Sequence, residues 1–223
     1  MRGEDLSLSS NTESTSMRNM PLSIAFLLSG GGTTLQNFID LRKSGELHVD
    51  FKLVISSRPS AKGLQRAAEA GIPTTVIERS GNPEGLFSKQ ITDALRQADV
   101  DLVCMGGFLS MWIIPPDFEG RVMNIHPALL PGFGGKSFYG RRVHEAVLEA
   151  GCKVTGCSVH FVDNVYDNGP IILQKAVAVH EDDTPETLAK RVRKQEKVIY
   201  PEAIQLFAQD RLHIAGRRVR ILE

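Results

Sequence analysis

The chain has 223 residues, with 26 lysines and arginines against 26 aspartates and glutamates, so its formal net charge is zero; 42% of residues are hydrophobic and 23% charged. This makeup excludes a disordered chain and a disulfide scaffold, and no apolar run approaches the roughly 20 residues that span a bilayer. The neutral balance argues against non-specific nucleic-acid binding, which goes with a strongly basic domain.

Residues 1–20 are rich in Ser, Thr and Asn and lack the apolar core of a signal peptide. They read as a disordered leader, with Met17 and Met20 as alternative starts, ahead of a folded domain over 21–223. An apolar strand over 22–28 ends in Ser29-Gly-Gly-Gly-Thr-Thr34, and Leu35, Phe38 and Ile39 follow at helical spacing. A strand over 51–55, a helix over 61–70 that stops at Gly71, a short strand over 74–77, a helix over 86–97 and an unbroken apolar strand over 102–105 come next. Strands alternating with helices imply parallel pairing through right-handed crossovers. A strand over 122–125 enters a Pro- and Gly-rich loop over 127–140 and a helix over 141–150. Two longer strands, 154–162 and 171–179, flank the loop 163–170. A long helix over 185–208 with Thr184 as its N-cap precedes a terminal hairpin over 212–222. The expected fold is α/β: a Rossmann-like, mostly parallel twisted sheet with helices on both faces over 21–121. The part over 122–223 adds antiparallel strands and the long helix.

The three cysteines, Cys104, Cys152 and Cys157, show no paired spacing of a zinc or redox motif. They read as structural thiols of a protein in a reducing compartment, the cytoplasm.

Three segments offer chemistry. The glycine-rich stretch 29–34 lies at a strand-to-helix junction, where backbone N–H groups and the helix dipole favour an anion. It lacks the spacing of a dinucleotide fingerprint and the lysine of a nucleotide P-loop, so a phosphomonoester suits it, against the alternative of a tight turn that binds nothing. Asn124 and His126 are two apart at a strand end, so they share one face, where an amide donor beside an imidazole could stabilise an oxyanion. A satisfied structural histidine is the plainer reading there. In the loop 163–170, Asn168-Gly169 is a turn signal that alone accounts for the polar residues; the functional alternative is that Asp167 approaches His126. No spacing argument links residues 41 positions apart.

Together these segments resemble the folate-dependent formyltransferases: Ser-Gly-Gly-Gly-Thr-Thr-Leu-Gln, then Asn-Ile-His-Pro-Ala-Leu-Leu-Pro, then Ser-Val-His-Phe-Val followed by Asp167-Asn-Gly-Pro-Ile-Ile-Leu-Gln. Gln195-Glu196 and Ile199-Tyr200-Pro201 fit the family's last helix, and the likeness covers residues 22–213 in order. The nearest branch of the family is the one acting in purine biosynthesis. The resemblance implies transfer of the formyl group of 10-formyltetrahydrofolate to the amine of glycinamide ribonucleotide, with these small molecules as the partners, no metal, no nucleic acid, no membrane, and a monomer or homodimer. It places the substrate phosphate on Gly31, Gly32, Thr33 and Thr34, the ribose on Glu196, and a catalytic trio at Asn124, His126 and Asp167. The folate would lie along Leu109, Ser110, Met111 and Trp112, with Asn124 and Asp163 as further contacts. The halves 21–121 and 122–223 would then be the phosphate-binding half and the catalytic, folate-binding half.

The resemblance also implies that Asp167 keeps His126 protonated near neutral pH. His160 either orients a catalytic carboxylate or fills the core, and Lys136 is either an anion partner or a solvated lysine. His144 reads as structural, and Lys190 to Lys194 as a solvated basic face. Departures from the family include Ser110 and the region of Glu84, where an arginine is expected, and Thr34, where Asn is commoner. A deformylase of the same fold, which gives the formyl group to water, is expected to carry an amino-terminal regulatory domain, and a tRNA formyltransferase a basic carboxy-terminal one. The length from 21 to 223 suits neither attachment. A non-catalytic phosphate- or folate-binding module is the alternative from another class.

Overall fold

A computed structural model describes residues 20–223; the expected leader, apart from Met20, lies outside the described residues. Nine strands form one sheet in the order β3-β2-β1-β4-β5-β6-β7-β9-β8. The strands are β1 (Leu22–Leu28), β2 (Val49–Ser56), β3 (Thr74–Val76), β4 (Leu102–Met105), β5 (Val122–His126), β6 (Val154–Phe161), β7 (Ile171–Ala178), β8 (Leu212–Ala215) and β9 (Arg218–Ile221). Those from β1 to β5 pair in parallel, whereas β6 runs antiparallel to both β5 and β7. The terminal hairpin is no separate unit: β9 joins the sheet beside β7 through the pair Ile171–Arg218.

The helices are α1 (Thr33–Ser44), α2 (Lys62–Glu69), α3 (Glu84–Gln97), α4 (Arg141–Glu149) and α5 (Pro185–Ala208). Period-two alternation along β1 explains how one strand serves two layers. Ile24, Phe26 and Leu28 face a core shared with α1, α2, α4 and α5, while Ala25 and Leu27 face a second core built on Phe87, Ile91 and Leu95 of α3. Both faces are covered, which is why the strand reads as unbroken apolar sequence from Ile24 to Leu28.

Two details fix α5 against the sheet. Thr184 caps the helix through a reciprocal bond with Thr187. Pro201 lies inside the helix and cannot donate to the carbonyl of Lys197; Asn37 Nδ2 of α1 donates to that carbonyl instead, at 3.1 Å. Beside it the buried Tyr200 hydroxyl lies 3.0 Å from the Met105 carbonyl and 2.9 Å from that of Met123. It also accepts the Met105 N–H, so one side chain ties the ends of β4 and β5 to α5. Cys104 and Cys157 are buried; burial pushes both thiols up, that of Cys157 to about 12.

Candidate active site

The chain reverses its direction of travel across the sheet between β1 and β4, so the crevice beyond their carboxyl ends is where an open α/β sheet receives ligands. The loop after β1 is Gly30–Gly32. Gly32 is the N-cap of α1 with φ +67°, and no side chain caps the helix. A Cβ on Gly32 would lie 2.6 Å from the Gly63 Cα, while Gly30 and Gly31 face open space. The Gly30 carbonyl accepts the Gly63 N–H at 3.0 Å, and that of Gly31 accepts Arg66 Nε at 2.9 Å. These bonds tie the loop's carbonyls toward α2 and leave the first N–H groups of α1 to a ligand.

A cavity of about 340 Å³ opens on this loop. Gly30 to Thr34, Gly106 and Gly107 line it together with Arg141, His144, Arg193 and Glu196. The structure thus brings Gly31, Gly32, Thr33, Thr34 and Glu196 into one space. It also adds Arg193, which the sequence hid within a charge run; its spacing of three from Glu196 on α5 was the available signal, since i and i+3 share a face. Burial pushes the Glu196 carboxyl up to about 7, with Arg193 pulling it back. A carboxyl poised near neutrality and facing the cavity suits hydroxyl donors, which favour its charged form.

That burial has a measurable cost. A carboxyl raised in the fold disfavours the native state as pH climbs from its unfolded value toward 7, because the native state then binds more protons than the unfolded one. Glu196→Gln is expected to match the parent in stability at pH 4. At pH 8 it should be more stable by up to about 3 kcal/mol, as read by chemical denaturation at the two pH values. Equal stabilities at pH 8 would show that the carboxyl is not raised.

A second cavity of about 210 Å³ adjoins the first, and Gly107 and Ile125 line both. It contains Asn124, His126 and Asp167. Antiparallel pairing of β5 with β6 sets Asn124 beside His160 and His126 beside Ser158, and the β6–β7 loop then returns Asp167 to the same place. Asp167 Oδ2 lies 3.5 Å from His126 Nδ1 and accepts the Gly135 N–H at 2.9 Å; its Oδ1 lies 3.7 Å from His160 Nε2. Asp167 has φ +51°, an unusual conformation for a residue with a side chain.

The carbonyls assign the tautomers. His126 Nε2 lies 2.8 Å from the Phe133 carbonyl and His160 Nδ1 lies 2.7 Å from that of Phe161, so each of these nitrogens carries the hydrogen. With its hydrogen on Nδ1, His160 accepts one hydrogen of Asn124 Nδ2 at 3.2 Å through Nε2, leaving the amide's second hydrogen free. His126 Nδ1 faces Asp167. Burial lowers the His126 imidazole below the ordinary histidine range, outweighing Asp167 and the Phe133 carbonyl, which raise it. Nδ1 facing Asp167 and Nε2 facing the Phe133 carbonyl favour the charged ring, and burial opposes it. Burial alone would raise Asp167, but His160, His126 and the Gly135 N–H together hold it below the usual carboxylate range.

The expected folate residues Leu109 and Asn124 line this cavity; Ser110, Met111, Trp112 and Asp163 lie outside its lining. Trp112 is buried in the α3 core with its Nε1–H donated to Thr92, and Asp163 accepts bonds from Val165 N and Asn168 Nδ2 within its own loop. The remaining wall is aromatic: Phe108, Phe138, Tyr139 and Tyr166, with Lys136 at the rim. Asn164 also went unread in the sequence. Its side-chain amide bonds both the N–H and the carbonyl of Ile114, at 2.7 and 3.2 Å, stapling the 109–114 segment to the β6–β7 loop. Among the described residues no group of three or more His, Cys, Asp and Glu side chains is placed to hold a metal ion, and no helix is long and apolar enough to cross a membrane.

Fold and site define an α/β protein with an uncapped glycine loop at the switch point of its sheet, next to an Asn–His–Asp cluster. The formyl transferase family pattern matches residues 22–204, and the chain belongs to that family. It is similar to the phosphoribosylglycinamide formyltransferase of Haemophilus influenzae, at 38% identity over 196 residues that cover 86% of this chain and 89% of the relative. The chloroplastic phosphoribosylglycinamide formyltransferase of Vigna unguiculata is 37% identical over 194 residues; the match covers 85% of this chain and 62% of the plant protein, so the chain spans less than two thirds of that relative's length. The crystal structure of glycinamide ribonucleotide transformylase 1 from Symbiobacterium toebii aligns with a TM-score of 0.85 and 41% identity, covering 96% of this chain and 100% of that one.

Proposed function

We propose that the chain transfers the formyl group of 10-formyltetrahydrofolate to the amine of 5-phosphoribosylglycinamide, a step of purine biosynthesis. The observation that carries the reading is the pair of adjoining cavities: one suited to a phosphoribosyl group, the other holding Asn124, His126 and Asp167. With the phosphate on the Gly31–Thr34 loop and the ribose hydroxyls on Glu196, the rest of the substrate points past Gly107 and Ile125 toward His126. The aromatic wall of the second cavity fits a flat heteroaromatic ring. Phe108, Leu109, Tyr139 and Tyr166 would hold the folate, which supplies an electrophilic formyl carbon.

The chain's own groups divide the work. Asn124 spends one amide hydrogen on His160 and offers the other to the formyl oxygen, where negative charge builds as the amine attacks. His126 takes the amine's proton on Nδ1 and returns it to the departing nitrogen, so no net proton is gained or lost by the protein. Asp167 stabilises the imidazolium in between, and the Phe133 carbonyl keeps the ring in the productive tautomer. His160 supports the cluster by holding Asn124 and facing Asp167.

Purified protein is expected to consume 10-formyltetrahydrofolate only when glycinamide ribonucleotide is added, as followed by the absorbance of the folate. Consumption without the acceptor would favour hydrolysis, and tight binding of both ligands without turnover would favour a binding module.

A further inference from the structure

Three of the segments that carry the family likeness meet at a point to which the proposed chemistry gives no role. Ala128 and Leu130 belong to the first, Ser158 opens the second and Gln174 ends the third. Pairing across β5, β6 and β7 sets Ser158 opposite His126 on one side and opposite Gln174 on the other. Ser158 is fully buried, and its hydroxyl uses its whole bonding capacity. It donates to the Ala128 carbonyl at 2.7 Å and accepts the Leu130 N–H at 3.0 Å and Gln174 Nε2 at 2.8 Å. Gln174 Nε2 also donates to the Leu130 carbonyl at 3.0 Å, so one pair of side chains holds both polar groups of the Leu130 main chain. Gln174 itself stands exposed on β7 and closes this hub from outside.

Leu130 in turn carries the backbone that touches His126 and Asp167. It is buried, and Gly134 sits directly on it: a Cβ on Gly134 would lie 2.6 Å from Leu130 Cδ2 and 3.2 Å from Asp167 Cβ. No side chain fits there, so the loop rests on Leu130 at backbone distance. The residues on either side of Gly134 face the site. The Phe133 carbonyl lies 2.8 Å from His126 Nε2, and the Gly135 N–H is donated to Asp167 Oδ2 at 2.9 Å. Phe133 has φ +53°, a conformation that a residue with a side chain keeps only where its surroundings fix it.

We infer that Ser158 and Gln174 are positioning residues for the transfer: by fixing the Leu130 main chain they hold the 133–135 backbone against His126 and Asp167. This rests on the roles proposed for those two groups, and one arm of the test does not use turnover. Ser158→Ala and Gln174→Met remove the hydroxyl and the amide without adding bulk. A misplacement of about 1 Å can cost about 100-fold, so each variant is expected to lower kcat by about 10- to 100-fold. The KM for glycinamide ribonucleotide should stay within about threefold, because the glycine loop is untouched. In protein labelled with ¹⁵N-histidine, the parent should show a slowly exchanging Nε2–H signal of His126, identified by its loss in His126→Ala. In both variants that signal should shift or be lost to exchange as the ring loses the Phe133 carbonyl. A merely structural role would lower Tm and leave kcat and the signal of the folded variants as in the parent, and that result overturns the inference. A change in only one of the two, kcat or the signal, overturns it equally. If Ser158→Ala does not fold, Gln174→Met, at an exposed position, decides alone. A parent without formyl transfer contradicts the proposed function, and the signal then still decides whether the pair holds the loop on His126.

Discussion

His126→Ala is expected to lower kcat by about a thousandfold, the central range for loss of a positioned acid–base group, while the KM for the ribonucleotide moves little. The reason is positional. His126 sits at the end of β5 with Nε2–H committed to the Phe133 carbonyl, so its remaining nitrogen is both the proton carrier and the contact to Asp167. Truncation also leaves that carbonyl unpaired, a cost of about 1–3 kcal/mol that thermal denaturation will read separately from turnover. Asp167→Asn sharpens the test. The amide can still accept the Gly135 N–H but no longer favours the imidazolium, so kcat should fall. Because Asp167 raises the His126 pKa against the stronger effect of burial, its removal should shift the acid limb of the kcat–pH profile to lower pH. If the protonated ring were the active form, the alkaline limb would move to lower pH instead.

The second large effect is expected at the phosphate loop. Gly32→Ala puts a Cβ into the left-handed conformation and 2.6 Å from the Gly63 backbone. The backbone term is worth about 1 kcal/mol and the overpacking about 1–3 kcal/mol more. α2 cannot retreat freely, because a Cβ on Gly63 would already lie 2.4 Å from Leu28 in β1, so these two segments are packed at backbone distance. A stability loss of about 2–4 kcal/mol should appear as a fall in Tm of roughly 5–15 °C. In the fraction that folds, the displaced loop should raise the KM for the ribonucleotide more than it lowers kcat. Gly31→Ala is the control: its Cβ would meet no protein atom, so it should leave stability unchanged and act only on phosphate binding. A stable Gly32→Ala protein with parental KM would contradict the loop geometry.

Much of the fold was legible in the sequence because period and punctuation agree. Both-faced burial makes β4, and β1 from Ile24 onward, unbroken apolar runs, and Thr184 marks the start of α5. The positions of segments 29–34 and 124–126 were also legible, since each lies at one strand end and needs no distant partner. What stayed hidden depended on contacts across the chain. The approach of Asp167 to His126 follows from β5–β6 pairing, and that of Arg193 to the glycine loop from the packing of α5 against α1; neither is a local property. The anchoring of the Trp112 indole in the α3 core and the bonds of the Asp163 carboxylate within its own loop were likewise not legible in the sequence. His126 shows a third limit. Its charge state is a contest between burial and Asp167, and burial is not written in a motif.

The account is tested most directly by following the formyl carbon itself. 10-Formyltetrahydrofolate carrying ¹³C in the formyl group, incubated with the protein and glycinamide ribonucleotide, should give one new ¹³C signal, that of an N-formyl amide on the ribonucleotide. The signal should grow in step with loss of the donor and be absent when the ribonucleotide is omitted. Appearance of the label as free formate, with or without the acceptor, would contradict it.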